Sequence, residues 1–355
     1  MLTRRFGDLD LGFIYSEHIH PPVGFRALAG VVQGPDWIMC VRDATGGDIV
    51  EPPTRLTDPL PLWQPVDPVP PQGYRALSRV PGFPPVDKNQ VACIREDYCH
   101  AADFIKGHVT LEPYESGDKV FLLPPHNQTI TRPPYVLALP IEAEMGELPA
   151  TPTLTSRERP EFDTEWQMYR SMVVPFPAVR DAGRDTAWRV ANSPFYKVEL
   201  WRRYDLVAFL DNQTTVEQSV GDTYTTGVSR TVTDTFSIDT TITVSSEAGI
   251  DIKGINIKGS VSVAVTLGYS HAVAVTQLES RAVNRTIKVP ADHAGAIFVE
   301  NHRLVVRRAD GSVVPGGELI FVANESFIAV QYPPAANGET RLDFTDDAVP
   351  VLADA

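Results

Sequence analysis

Apolar and polar residues alternate most strictly between Thr214 and Val289. Val232, Phe236, Ile238, Ile242, Val244, Ile250 and Ile252 fall in one register, with Thr233, Thr235, Ser237, Thr241 and Thr243 in the other. A second run carries Val261, Val263, Val265, Leu267, Tyr269, Val273 and Val275, separated mostly by Ser, Thr, Ala and Gly. Between the runs, Lys253, Gly254, Ile255, Asn256, Ile257, Lys258 and Gly259 carry the Gly and Asn punctuation of a turn. Period two predicts strands with one apolar and one small polar face. The runs therefore read as a hairpin of 232–252 against 260–275, with its tip at 253–259. Both runs exceed the roughly 9–11 residues that a tilted strand needs to cross a bilayer. A solvent-exposed ribbon alternates as well. Pattern alone leaves two readings open, a membrane-inserting hairpin and a stalk.

Upstream, residues 1–145 are rich in proline and repeat themselves. Pro22-Val23-Gly24-Phe25-Arg26-Ala27-Leu28 returns as Pro71-Gln72-Gly73-Tyr74-Arg75-Ala76-Leu77, and more faintly as Pro133-Pro134-Tyr135-Val136-Leu137-Ala138-Leu139. Ile38-Met39-Cys40-Val41-Arg42-Asp43 returns as Val91-Ala92-Cys93-Ile94-Arg95-Glu96-Asp97, so Cys40 and Cys93 are equivalent. Short strands recurring at about fifty to sixty residues predict a pseudo-threefold, prism-like recognition head.

Residues 146–192 read as a polar linker, with a short helix expected between Ser156 and Trp166. Long strands are expected over 193–335, among them Tyr196–Leu210 and Phe327–Tyr332. Residues 336–355 read as an acidic C-terminal tail. The expected fold is mostly β: a β-prism-like head, then an elongated module of long antiparallel strands.

Charge and cysteine content narrow the function classes. A net charge of −14 without a Lys/Arg-rich run argues against a nucleic-acid partner. It also disfavours unaided binding to anionic lipid, so a receptor or glycan would have to hold the protein. Three cysteines, Cys40, Cys93 and Cys99, do not make a disulfide framework; they read as core thiols, with a Cys93–Cys99 bridge as the alternative. Met1–Asp10 has no apolar segment of the secretory kind. No run approaches the roughly 18 apolar residues of a membrane-spanning helix. The expectation is a protein made soluble without a signal peptide, which acts extracellularly and meets a membrane through strands.

Two resemblances add to this. The Gly-Phe/Tyr-Arg-Ala-Leu and Cys-Val/Ile-Arg elements, with Leu62-Trp63 ahead of the second copy, resemble the vacuolar-protein-sorting-type domain over about residues 15–140. That likeness implies a β-prism and no agreed chemistry. Leu210-Asp211-Asn212-Gln213-Thr214-Thr215-Val216-Glu217-Gln218, the Ser/Thr-rich ribbons and Thr286-Ile287-Lys288-Val289-Pro290-Ala291 are similar to the epsilon-toxin and mosquitocidal-toxin branch of aerolysin-like proteins. The second likeness implies an insecticidal or cytolytic pore-forming toxin. Its soluble monomer would bind a target cell membrane through a protein or glycan receptor, form a homo-oligomeric ring, and insert one hairpin per protomer.

No Gly-x-Ser-x-Gly elbow, phosphate loop or zinc-type spacing is present, so neither an enzyme nor a cofactor is expected. Glu17-His18-Ile19-His20 reads as loop histidines rather than metal ligands. Asp234 and His271 share the apolar register of the hairpin; His271 is a candidate pH switch, or a residue at the membrane surface. Trp37, Trp63 and Tyr74 are candidates for stacking on a receptor glycan, with core packing as the alternative. A lectin-like carbohydrate-binding protein without pore activity is the rival to the toxin reading.

Overall fold

Three antiparallel units of one design make up the proline-rich head. The computed structural model describes residues 1–15, 20–28, 37–57, 66–77, 86–101, 103–105, 108–110, 119–122, 135–140, 144–145, 150–160, 165–176, 179–227, 240–245, 249–254, 263–266, 272–274, 280–322 and 326–345. The first unit comprises β1 (Thr3–Phe6), β2 (Leu9–Tyr15), β3 (Arg26–Ala27) and β4 (Trp37–Asp43), in the order β1-β2-β4-β3. The second has β5 (Val50–Glu51), a side ribbon of β6 (Arg55–Leu56) and β7 (Pro68–Val69), then β8 (Tyr74–Ala76) and β9 (Cys93–Arg95), in the order β5-β9-β8. The third has β10 (Cys99–Ala101), a ribbon of β11 (Asp103–Ile105) and β12 (His108–Thr110), then β13 (Lys119–Leu122) and β14 (Tyr135–Pro140), whose core is β10-β14-β13.

In every unit the last strand of the chain lies in the middle. Leu11 and Arg26 flank Val41 in register, as Val50 and Arg75 flank Ile94, and as Cys99 and Leu122 flank Leu137. All three central residues are fully buried. In the first two units the entry turn is also shared: Phe25 N–H donates to Pro22 O (2.9 Å) and Tyr74 N–H to Pro71 O (3.2 Å). Gly24 and Gly73, at φ 84° and 81°, supply the left-handed third position of a type II turn, which a Cβ disfavours. The third copy needs a correction. Tyr135–Pro140 matches the central strands β4 and β9, not the flanking Pro22–Leu28 strand, and Lys119–Leu122 takes the flanking place.

The chain continues through β15 (Glu144–Met145), β16 (Gln167–Pro175), α1 (Thr186–Asn192), β17 (Phe195–Asn212), β18 (Gln218–Thr226), β19 (Thr240–Ser245), β20 (Gly249–Gly254), β21 (Val263–Thr266), β22 (Ala272–Ala274), β23 (Arg281–Val289), β24 (His293–Arg307), β25 (Val313–Phe321), β26 (Phe327–Tyr332) and β27 (Phe344–Thr345). The protein is mostly β. Its backbone is β17 against β24, paired from Lys197↔Arg307 to Asn212↔His293 with one irregularity between Leu206 and Ala208. β17 has 18 residues and so runs about 60 Å. β16 lies on its other edge, while β25 and then β26 line the far edge of β24.

Three sequence expectations change here. Residues 146–192 are more than a linker: β16 pairs along β17, with Tyr169, Val173 and Val174 buried. The described helix is α1, which Asp185 caps by accepting from Trp188 N–H (2.7 Å) and which Pro194 follows, while residues 156–160 and 165–166 of the expected helix are not helical and 161–164 lie outside the described part. The tail expected at 336–355 begins as structure: β27 pairs with β23, and Leu342 and Phe344 pack on the Ile287/Val289 cluster. Residues 346–355 lie outside the described part.

The head and the long sheet share one core. Phe6, Phe13 and Trp37 of the first unit meet Phe176 and Phe195 at ring separations of 5.1 to 5.5 Å. Arg308 grips the buried Asp181 carboxylate with two bonds of 2.7 Å, tying the β24–β25 turn to the loop before α1. Lower down, one face of β17–β24–β26 packs on the sheet β18-β23-β27 through Ile287, Val289 and Phe327. The strap 150–160 covers the other face with Leu154.

Candidate functional site

β18 and β23 are the two strands that lead into and out of the Ser/Thr-rich segment, and their base is locked. Asn212, fully buried at the end of β17, donates its amide to Val216 O, Val289 O and Pro290 O at 2.8 to 3.0 Å. Its side-chain oxygen accepts from the backbone N–H and hydroxyl of Thr214. The strap's Arg157 joins the same corner, reaching Asp211 (2.7 Å), Asp292 and Asn212 O (3.1 Å). Bonds from Gln213 and Arg157 hold the Asp211 carboxyl below its usual range. The Asp-Asn-Gln-Thr stretch is thus a knot that fixes where β18 starts and β23 ends.

From that base β18 and β23 pair without a slip, from Gln218↔Val289 to Thr226↔Arg281. Beyond them, the expected hairpin residues fall on four short strands. Ile242 and Val244 are in β19, Ile250, Ile252, Lys253 and Gly254 in β20, Val263 and Val265 in β21, and Val273 in β22. Val232, Phe236, Ile238, Ile255, Asn256, Ile257, Lys258, Gly259, Val261, Leu267, Tyr269, His271 and Val275 lie outside the described residues.

Of the expected strand 232–252, the described residues form β19 and β20, two strands rather than one, while residues 232–239 and 246–248 lie outside the described part. β19 and β20 pair antiparallel, so Ile242 stands opposite Ile252 and Val244 opposite Ile250. Ser246 and Ala248 occupy apolar-register positions between the two strands, which weakens the apolar row that would carry one strand through. β20 pairs with β21 from Asp251↔Thr266 to Lys253↔Ala264. β22 returns to β19. On its outer edge β21 meets the head: Phe121 pairs with Ala264 and Leu122 with Val263.

Of the head aromatics, Trp37 is unsuited to stacking on a glycan. It is 4% exposed and packs edge-on against Phe13 and Phe176; its place on a strand flanked by β2 put it in the core. Tyr74 is half-buried, with its hydroxyl on Asp48 O, and burial with nearby Glu51 and Asp48 raises its pKa. Trp63 and His18 lie outside the described residues. Cys40, Cys93 and Cys99 are free thiols, each pushed up to about 12 by burial. Among the described residues, no cluster of His, Cys, Asp and Glu is placed to hold a metal ion, and no helix is long and apolar enough to cross a membrane.

Sequence reasoning missed Asn212 and Arg157 as structural anchors, although Asp211-Asn212-Gln213-Thr214 lay within the stretch that carried the second resemblance. It also missed a buried polar band on the core face of the long sheet. Arg202 pairs with Glu300 across β17 and β24, and His302 lies 3.5 Å from Glu300 with its ring stacked on Phe321.

No protein-family model matches the chain, and no curated protein matches it in sequence. Among solved structures, the crystal structure of Cry35Ab1 is similar over 68% of this chain and 71% of that one, with 14% identity and a TM-score of 0.38. At that distance the strand order and register are this chain's own.

Proposed function

We propose that this protein permeabilises membranes. Held at a target cell surface by a protein or glycan receptor, copies assemble into a ring, and each inserts the segment between β18 and β23 as one hairpin of a β-barrel. The register of β18 and β23 is the observation that carries this reading. Continued past Thr226↔Arg281, it sets Val232 opposite Val275, Phe236 opposite His271, Ile238 opposite Tyr269, Ile242 opposite Val265, Val244 opposite Val263, and Ile252 opposite Ile255. Lys253 and Gly254 are left as a two-residue turn, with glycine where a type I′ turn needs positive φ. Apolar residues then face apolar residues along most of the hairpin, apart from His271 opposite Phe236, Thr240 opposite Leu267 and Ser246 opposite Val261, and ring closure pairs the remaining backbone groups. Asp234 meets Val273 at the framework end, away from the tip.

In the soluble arrangement the same residues have other partners, Ile252 with Val265 and Lys253 with Ala264. Insertion exchanges one ladder for another, and the exchange is measurable. Lys253→Cys with Ala264→Cys should cross-link in the soluble protein. Thr241→Cys with Thr266→Cys should cross-link only in a detergent-resistant oligomer formed on liposomes or susceptible cells, together with dye release. Binding to cells with neither release nor oligomer, before and after limited trypsin treatment, would leave the lectin-like reading in its place.

A further inference from the structure

We propose that the head restrains the hairpin segment: strand β13 of its third unit occupies the edge of β21 that ring assembly must free. This inference rests on the pore-forming reading above and names the contact that regulates it. A strand has two hydrogen-bonding edges. On β21, β20 takes one, and β13 takes the other through Phe121↔Ala264 and Leu122↔Val263. The third unit and the hairpin segment thereby form a single seven-stranded sheet, β10-β14-β13-β21-β20-β19-β22.

In the continuous register Ala264 moves opposite Thr243, and Val263 opposite Val244. That uses one edge of the strand. The other must pair with a neighbouring copy, since an open strand edge does not persist in hydrocarbon. While β13 stays on β21, no second copy can reach that edge. The joint is also where the sheet is built to part. β13 is fixed to β14 by register partners from Lys119↔Pro140 to Leu122↔Leu137, but to β21 by only Phe121↔Ala264 and Leu122↔Val263. A displacement of the third unit when the head engages its receptor breaks the shorter ladder first. Recognition and release are coupled through one strand.

The test is a reversible tie, Phe121→Cys with Ala264→Cys, made in the full chain and checked by mass after oxidation. Oxidised, it should bind susceptible cells at the wild-type level, while dye release and the detergent-resistant oligomer fall at least tenfold; reduction should restore both. Each single variant should release normally under oxidising conditions, which excludes a folding defect. Wild-type release from the verified cross-linked form would overturn the restraint and leave the pore standing, as would failure of the cysteines to cross-link in the soluble protein. Absence of release from every form, wild type included, would instead remove the pore-forming reading itself.

Discussion

The ladder of β17 with β24 and the strands β19–β22 are both made from alternating residues, yet they are held in opposite ways. β17 and β24 keep one pairing from Lys197↔Arg307 to Asn212↔His293. Their lower half is covered on one face by the strap and on the other by β18-β23-β27. β20 and β21 share a ladder only from Asp251↔Thr266 to Lys253↔Ala264, and β21 borrows its second partner from the head. A period-two pattern says which residues share a face; burial of that face selects the register. Where both faces are buried the register is fixed, and where the ladder is short it can be exchanged.

The framework should therefore lose the most from single substitutions. Asp181→Ala strands the Arg308 guanidinium in a largely buried site, and breaking such a pair costs about 3–5 kcal/mol. Urea denaturation should show that loss; a change below about 1 kcal/mol would mean the upper core does not depend on the Asp181 grip. Asn212→Ala removes the donor from three carbonyls, of which that of Val289 is buried, and should cost about 1–3 kcal/mol. Amide exchange at the start of β18 should rise with it. Unchanged exchange would separate the Asn212 knot from the pairing of β18 and β23.

The buried band sharpens the comparison through pH. Burial, with Arg202 beside it, pushes His302 down from 6.5 to about 3. A group whose folded pKa is depressed in this way is a base kept neutral: the unfolded chain takes a proton that the folded chain refuses. Its contribution is intact above the unfolded value and is lost as pH falls below 6.5 toward 3. Burial raises Glu300, with Arg202 opposing, and that shift acts in the opposite direction, so it partly masks the histidine in the wild type. Comparison with His302→Gln cancels the masking, because Glu300 is present in both. The stability gap between the two proteins should narrow by about 2 kcal/mol from pH 7 to pH 5, at about 1.4 kcal/mol per unit over 1.5 units. A gap that stays constant would show that His302 titrates normally.

Much of this architecture was legible because it is local. The Pro-x-Gly-aromatic-Arg-Ala-Leu repeat marked two turns and their following strands, and alternation marked β17 and β26. What failed was non-local. The third unit lacks the Cys-x-Arg element, so nothing in Tyr135–Pro140 showed that it would take the central place. β16 was hidden by its neighbours: the charged run before it and the prolines around it read as a linker, although Met172-Val173-Val174 follows. Leu342 and Phe344 were too few to lift an acidic stretch out of the tail. Arg202, Glu300 and His302 each interrupt an apolar register singly, and only the β17–β24 pairing shows that they neutralise and shield one another. The hairpin candidates were legible as a pattern, but their present partners depend on β13, more than a hundred residues upstream.

The smallest expected effect on stability accompanies the largest on function. Val244→Lys introduces a charge into β19, which pairs with β20 from Thr240↔Gly254 to Ser245↔Gly249 and with β22 only from Thr243↔Ala274 to Ser245↔Ala272. If the segment stands apart from the cooperative core, urea denaturation of the soluble protein should shift by less than about 1 kcal/mol, as for a change outside a buried cluster. In an inserted barrel the same lysine lies on the lipid face, where it costs about 2–4 kcal/mol per protomer at mid-depth. That cost is paid by every copy in the ring, so dye release should disappear while binding to cells persists. Loss of folding in Val244→Lys would make the segment part of the framework and erase the contrast between the two ladders. Full release with normal folding would place Val244 away from lipid, and with it the register that β18 and β23 project.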